Sequence, residues 1–369
     1  MMPNLPMPHA ARRARAAERC RSAGVAALLL APGSDLTYLS GYRIAGSERL
    51  TCLVLTADGE ATLVLPELEA SRAALAAPDL ARCTWTETED PYALVASLLH
   101  AAGSLALSDQ MWAAFVLGVK TAAPERELRL ASIVTRELRM RKDDVEQAAL
   151  RAVSAAADRA YARMRERPFA GRTEREIATE LAALLTDEGH EEVLFTIVAS
   201  GPNGASPHHA TGDRRLAAGD VVVLDFGGTR AHYGSDITRT IHVGGQIDTE
   251  TRRVHDLVLR AQEAGYAAAR EGVTAESVDA AARRVIVDGG YGDRFIHRLG
   301  HGIGLDGHEH PYLVSGNQDR LAPGMAFSIE PGIYLAGRFG VRIEDIALIG
   351  RDGRAEPLNH ADRGLAVVA

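Results

Sequence analysis

The chain has 369 residues, of which 46% are hydrophobic and 24% charged, and its formal net charge is −8. This is the profile of a globular protein too long for one compact core, so two domains of ordinary size are expected. The acidity leaves no electrostatic footprint for nucleic acid or an anionic membrane, and no apolar run approaches the ~20 residues a bilayer requires. Cys20, Cys52 and Cys83 are odd in number and widely spaced, which fits reduced thiols in a cytoplasm better than disulfides or a zinc–thiolate site.

The chain opens with Arg12, Arg13, Arg15, Arg19 and Arg21. An Arg-rich transit peptide is one reading. No cleavage pattern separates this stretch from the next, so a surface helix is expected. Apolar runs at Val25–Leu30, Leu50–Leu55 and Ala61–Leu65 predict strands, punctuated by turn residues at Pro32-Gly33-Ser34-Asp35 and Asp58-Gly59. Glu67–Ala77 and Pro91–His100 predict helices. Such alternation predicts a layered α/β domain over residues 1–135. From Arg136 to Arg167, Val145, Ala149, Val153 and Ala156 recur at helical spacing and predict one or two helices, halted by Pro168 and Gly171. Thr173 and Glu176 form a capping-box pattern for a helix reaching about Glu188, which Gly189 closes. The second domain, residues 136–369, reads as α+β: glycines become frequent, strand patterns alternate with hairpin signals, and ten of the thirteen histidines fall between His190 and His310.

Its chemistry begins at Val221-Val222-Val223-Leu224-Asp225, a β-branched run that ends in a carboxylate. A turn follows, then Asp236 and a second strand from Ile237 to Val243. A hairpin of this length brings the two acids together, and close carboxylates repel unless a cation or proton lies between them. An exposed hairpin with scattered acids is the bland alternative. Next, His297, His301, His308 and His310 crowd into fourteen residues. Imidazole is a common metal ligand, and its second nitrogen can anchor to a neighbour. Gly302, Gly304 and Gly307 spell a dinucleotide fingerprint, but the flanking histidines and Pro311 are not the strand-to-helix context that motif needs. Glu330 ends the run Met325–Glu330, and strand periodicity puts Arg342 and Glu344 on one face. One divalent ion would not use four carboxylates. Two ions ~3.5–4 Å apart would, with a bridging hydroxide as nucleophile. Oxygen-rich ligation with one imidazole suits Mn²⁺ first, with Co²⁺ or Zn²⁺ as alternatives.

The ordered segments LDFGG, SDITRT, HRLGHGIGLDGHE, SIEPGIY and VRIED resemble the pita-bread metallopeptidases, and within them the proline-specific branch of Xaa-Pro dipeptidase (prolidase) and Xaa-Pro aminopeptidase. The resemblance covers nearly the whole chain. It implies a creatinase-like α/β N-terminal domain, a pita-bread catalytic domain and a homodimer. It also implies that Asp225 chelates one metal, that Asp236 and Glu344 bridge both, and that His301 and Glu330 bind the other. Glu330 would serve as general base and then acid. His208, preferred over its neighbour His209, and His297 and His308 would contact substrate, and Arg342 would stand beside the bridging glutamate. Peptides with proline at the second position would be the substrates, with dipeptides favoured over longer peptides. Asp35 and either Arg43 or Arg49 would meet the substrate's two charged ends, unless they are surface charges. Methionine aminopeptidase shares the ligands but usually lacks so large an N-terminal domain. Creatine-hydrolysing or non-catalytic members of the fold would have lost ligands that are all present here.

Overall fold

A computed structural model describes residues 8–369. The chain divides into two compact units, Met1–Arg139 and Met140–Ala369. The helix Ser132–Met140 runs across the expected 135/136 boundary, and the division along the chain falls at its end. Among the described residues no helix is long and apolar enough to cross a membrane.

The N-terminal unit is built on a mixed six-stranded sheet, in the order Ala81–Trp85, Ala61–Pro66, Cys52–Thr56, Val25–Leu30, Ser104–Leu107 and Leu128–Leu130. Val25–Leu30 is central and buried at every position, which is why it reads as a continuous apolar run. The expected surface helix is present as His9–Ala23, but Arg12 and Arg13 are buried. Arg12 stacks over the Tyr38 ring and Arg13 pairs with Asp79, so these arginines hold the helix to its own domain. The expected turn forms at Pro32 and Gly33 and leads at once into a short helix, Ser34–Ser40.

The long apolar periodicity resolves into two helices, Ser132–Met140 and Asp144–Met164, of which the second lies in the C-terminal unit. The second, Asp144–Met164, starts afresh because Asp143 and Glu146 form a capping box. Thr173 and Glu176 do the same for the helix Glu174–Asp187. These two helices cover one sheet, ordered Ala366–Val368, Ile237–Val243, Val221–Arg230 and Glu192–Ser200. Val222, Leu224, Phe226, Ile237 and Ile241 pack beneath the helices in one apolar core. A second helix pair, Thr249–Ala268 and Ala275–Asp288, covers the sheet containing Gly300–Gly302, Ala326–Ile329 and Asp345–Ile349, with Phe327, Ile329, Ala347 and Ile349 in its core. Each sheet buries one face under helices, which leaves the opposite face for polar side chains.

The two halves are joined by a buried polar tie. Arg239, 1% exposed, donates to the Glu344 carbonyl at 2.7 Å and to Asp345 Oδ1 at 2.6 Å. Arg363 Nε and Gln262 Nε2 satisfy the other carboxylate oxygen of Asp345 at 2.6 and 3.1 Å. Removing one member of a buried pair strands the other's charge, at a cost of about 3–5 kcal/mol. Asp345→Asn is therefore expected to lower the unfolding free energy by about 3 kcal/mol in urea denaturation. A midpoint unchanged from the parent would show that the tie contributes nothing.

Candidate metal centre

Strand alternation aims the first carboxylate. On Val221–Arg230 the even-numbered apolar residues face the helices, so Asp225 points from the other face. Its partner across the ladder is Thr238, and Asp236 lies two residues earlier, just outside the strand. The two aspartates are thus diagonal neighbours on one face rather than directly opposed. Glu344 enters from the other sheet, where its N–H donates to the Thr238 carbonyl at 3.0 Å. Glu330 follows the strand Ala326–Ile329, and its N–H donates to the Leu299 carbonyl at 2.8 Å.

His301 lies between two glycines that cannot be replaced without displacing backbone. A Cβ at Gly300 would lie 1.9 Å from the Ser328 carbonyl oxygen, and one at Gly302 would lie 2.2 Å from that of His310. The strands therefore pack directly against the His301 backbone, and the histidine is 2% exposed. Its Nδ1 lies 3.0 Å from the Gly302 carbonyl. A carbonyl only accepts, so Nδ1 carries the proton and Nε2 presents a lone pair. That Nε2 is 3.7 Å from Asp236 Oδ2 and 3.5 Å from Glu330 Oε1. Burial, reinforced by the neighbouring His308 ring, pulls His301 down to about 3 and keeps it neutral.

Ligand atoms of His301, Glu330 and Glu344 lie within 4.8 Å of one another, as do those of Asp225, Asp236 and Glu344, and those of Asp236, His301 and His308. The structure thus brings together all five expected ligand residues. Asp225 Oδ1, Asp236 Oδ1 and Glu344 Oε1 are buried with no hydrogen-bond partner. Their sister oxygens that are bonded are held by protein: Asp225 Oδ2 accepts from Arg342 Nη2 at 2.6 Å, and Glu344 Oε2 from Thr238 Oγ1 at 2.7 Å. Buried carboxylate oxygens left bare are costly, and divalent cations would satisfy them. The donor set of hard oxygens plus one neutral imidazole fits such ions.

Without cations, Asp236, Glu344 and Glu330 are drawn toward their protonated forms. Burial, reinforced by the Asp225 and Glu330 charges, raises Asp236 well above the ordinary carboxylate range. Burial and the charge of Asp236 do the same to Glu344. Burial pushes Glu330 up to about 7 against the opposing pull of Arg342. Burial works against the charge on Arg342, but Tyr334 and the surrounding carboxylates outweigh it and hold the guanidinium firmly protonated.

The cluster floors a cavity of about 510 Å³ that Phe195, Ile197, Pro207, His208, His297, Arg298 and His308 also line. His208 faces this cavity, whereas His209 Nε2 donates to Glu174 Oε2 at 2.9 Å and is structural. Glu174 was not singled out in the sequence, where it reads only as a helix-start acid. It is buried and also accepts from Ser200 N, Ser200 Oγ, Asn203 Nδ2 and Gly212 N. Burial tends to raise its pKa, yet these donors together lower it. Glu174 thereby fixes the loop that carries His208. His297 lines the cavity with both ring nitrogens engaged: Nδ1 donates to the Arg298 carbonyl at 2.7 Å and Nε2 accepts from the Tyr334 hydroxyl at 2.9 Å. Tyr334 in turn receives Arg342 Nη1 at 2.9 Å. Asp35, expected near the substrate ammonium, is occupied within its own domain by Arg139 and Thr135, each at 2.9 Å. Arg49 pairs with Glu48 and Glu87, and the Arg43 carbonyl accepts from Arg72.

Residues 147–351 match metallopeptidase family M24, and residues 12–141 match the creatinase/prolidase N-terminal domain. The chain is a member of metallopeptidase family M24. The probable dipeptidase PepE of Mycobacterium tuberculosis is 47% identical over 365 residues, covering 98% of this chain and 96% of that protein. A Xaa-Pro dipeptidase of Pyrococcus furiosus is 36% identical over 326 residues, covering 88% and 92%. The crystal structure of dipeptidase PepE from Mycobacterium ulcerans superposes with a TM-score of 0.92 at 45% identity, covering 98% of each chain. This M24 metallopeptidase therefore has the creatinase-like N-terminal domain and pita-bread catalytic domain that its sequence motifs imply.

Because the metal-free acids hold protons that a cation must displace, cation affinity is expected to fall as pH drops through about 7, where Glu330 protonates. Calorimetric titration with Mn²⁺ in buffers of different ionisation enthalpy should reveal proton release. Binding that is independent of pH and releases no protons would contradict the charge arrangement.

Proposed function

We propose that this metallopeptidase hydrolyses the peptide bond before proline in Xaa-Pro dipeptides, using two divalent cations, Mn²⁺ foremost. The observation that carries the reading is the convergence of three bare, buried carboxylate oxygens from Asp225, Asp236 and Glu344 beside His301 and Glu330. Asp225, Asp236 and Glu344 would hold one cation, and Asp236, Glu344, His301 and Glu330 the other. Bound there, the pair would polarise the scissile carbonyl and activate water. The names of the dipeptidase relatives support the dipeptide assignment.

The chain's own residues do the rest. Glu330, at the floor of the cavity, takes the proton of the attacking water and passes it to the proline nitrogen as the C–N bond breaks. That nitrogen carries no N–H in the substrate, so recognition falls to the carbonyl and the substrate's termini rather than to a strand-like backbone bond. His208 and His308 contact the substrate from the cavity wall. His297, held by Tyr334 and the Arg298 carbonyl, sets the wall's shape. Arg342 holds Asp225 oriented for its cation. Phe195 and Ile197 provide apolar surface for the substrate side chains. The same reading carries a homodimer.

The deciding assay compares Ala-Pro with Ala-Pro-Ala after metal-free protein is loaded with Mn²⁺. Cleavage confined to the dipeptide is expected. Preferential cleavage of the tripeptide would make the protein an Xaa-Pro aminopeptidase, and cleavage of neither would refute proline specificity. Glu330→Gln and Glu344→Ala should each reduce kcat/KM by at least ~10²-fold, and Glu344→Ala should also lower the bound metal content. A Glu344→Ala protein with full metal and full activity would refute the ligand set.

A further inference from the structure

The cavity contains two arginines in unequal states. Arg342 is spent: its guanidinium donates to Asp225, Tyr334 and Thr238. Arg298 is not. Its guanidinium carbon lies 4.4 Å from the centroid of the Tyr312 ring, and its Nη2 donates to His308 Nδ1 at 3.3 Å. Among the described residues no carboxylate lies within ion-pair distance of it. A charged fork stacked on an aromatic face is held in one plane, which keeps its remaining N–H edges available to a planar anion.

We propose that Arg298 receives the substrate's C-terminal carboxylate and so limits hydrolysis to peptides that end one residue beyond the scissile bond. This rests on the peptidase function proposed above. In a Xaa-Pro dipeptide the carboxylate carbon is two bonds from the scissile nitrogen, so its receptor must stand within a few ångströms of the carboxylate cluster. Arg298 meets that requirement through His308. The His308 ring centroid is 3.8 Å from that of His301, and a His308 nitrogen lies within 4.8 Å of ligand atoms of Asp236 and His301. The bond from Arg298 also selects the neutral His308 tautomer with its proton on Nε2. A peptide extended beyond proline would place an amide where Arg298 offers a positive charge, losing the charge-assisted pair. Arg49, the alternative offered by the N-terminal domain, already has two carboxylate partners.

The test compares binding of L-proline and L-prolinamide to the Mn²⁺-loaded, full-length protein by ligand-observed NMR titration. The parent protein is expected to prefer proline by about tenfold or more, the range of one charge-assisted hydrogen-bonded pair. Arg298→Met should abolish the preference, and Arg298→Lys, which keeps the charge without the fork, should retain part of it. A preference for proline undiminished in Arg298→Met, or absent from the parent, overturns the assignment. Hydrolysis of Ala-Pro measured on the same samples separates the two claims. A parent that prefers proline through Arg298 yet leaves Ala-Pro intact would uphold the carboxylate site while refuting the peptidase function.

Discussion

Four carboxylates within a few ångströms of one another, almost all out of water, form the constraint on which the catalytic domain depends. Such a cluster is repulsive on Coulomb grounds and is further penalised by desolvation. One arginine, Arg342, offsets part of this by pairing with Asp225. It cannot offset all of it, because Asp236 and Glu344 still hold their protons well above the ordinary range. The remaining imbalance is a standing demand for positive charge at one place. In that sense the metal site is an electrostatic debt written into the fold, and the bare oxygens mark where it falls due.

Holding that cluster open requires rigidity behind it. The supporting bonds come mainly from neutral groups and backbone, which add no charge of their own. Thr238 holds Glu344 twice: its hydroxyl donates to the Glu344 carboxylate and its carbonyl accepts from the Glu344 N–H. Ser328 Oγ accepts the His301 N–H at 3.0 Å and donates to Glu330 Oε1 at 3.3 Å, linking two members of the cluster through one hydroxyl. Deeper still, Arg239 and Asp345 lock the strand of Thr238 to the strand after Glu344. A charged pair is placed where it braces two sheets, and uncharged donors are placed where they must not compete with cations.

Much of this arrangement is legible in the chain because it depends on local order. The run Val221–Leu224 announces a buried strand, and its alternation decides which way Asp225 points. Thr173 and Glu176 declare a helix start in four residues, and the structure forms that capping box. What is not legible depends on which distant segments meet. Nothing in Ser34-Asp35 shows that Asp35 finds Thr135 and Arg139, 100 and 104 residues along in sequence. Arg12 and Arg13 read as surface charges because their partners, Tyr38 and Asp79, are set by tertiary packing. Glu174 looks like an ordinary helix-start acid, yet it gathers five donors from residues 200–212. The choice between His208 and His209 turns on that carboxylate, and strand or helix periodicity carries no record of it.

Backbone carbonyls settle a further question that side-chain identity leaves open, namely which nitrogen of each histidine is available. Gly302 fixes the proton of His301 on Nδ1 and frees Nε2 toward Asp236 and Glu330. The Arg298 carbonyl does the same for His297, whose Nε2 then accepts from Tyr334. His308 differs, since its Nδ1 accepts from the Arg298 side chain rather than donating to a carbonyl. Arg298 therefore acts twice, its carbonyl orienting one histidine and its guanidinium another. The short stretch from His297 to His308 thus assigns distinct work to chemically identical rings: one lone pair to the cluster, one to a tyrosine that steadies Arg342, and one to the arginine that faces the open cavity. A substitution in this segment that conserved every histidine but moved a carbonyl would redistribute those lone pairs, which is why the tightly packed glycines Gly300 and Gly302 matter as much to the site as the histidine between them.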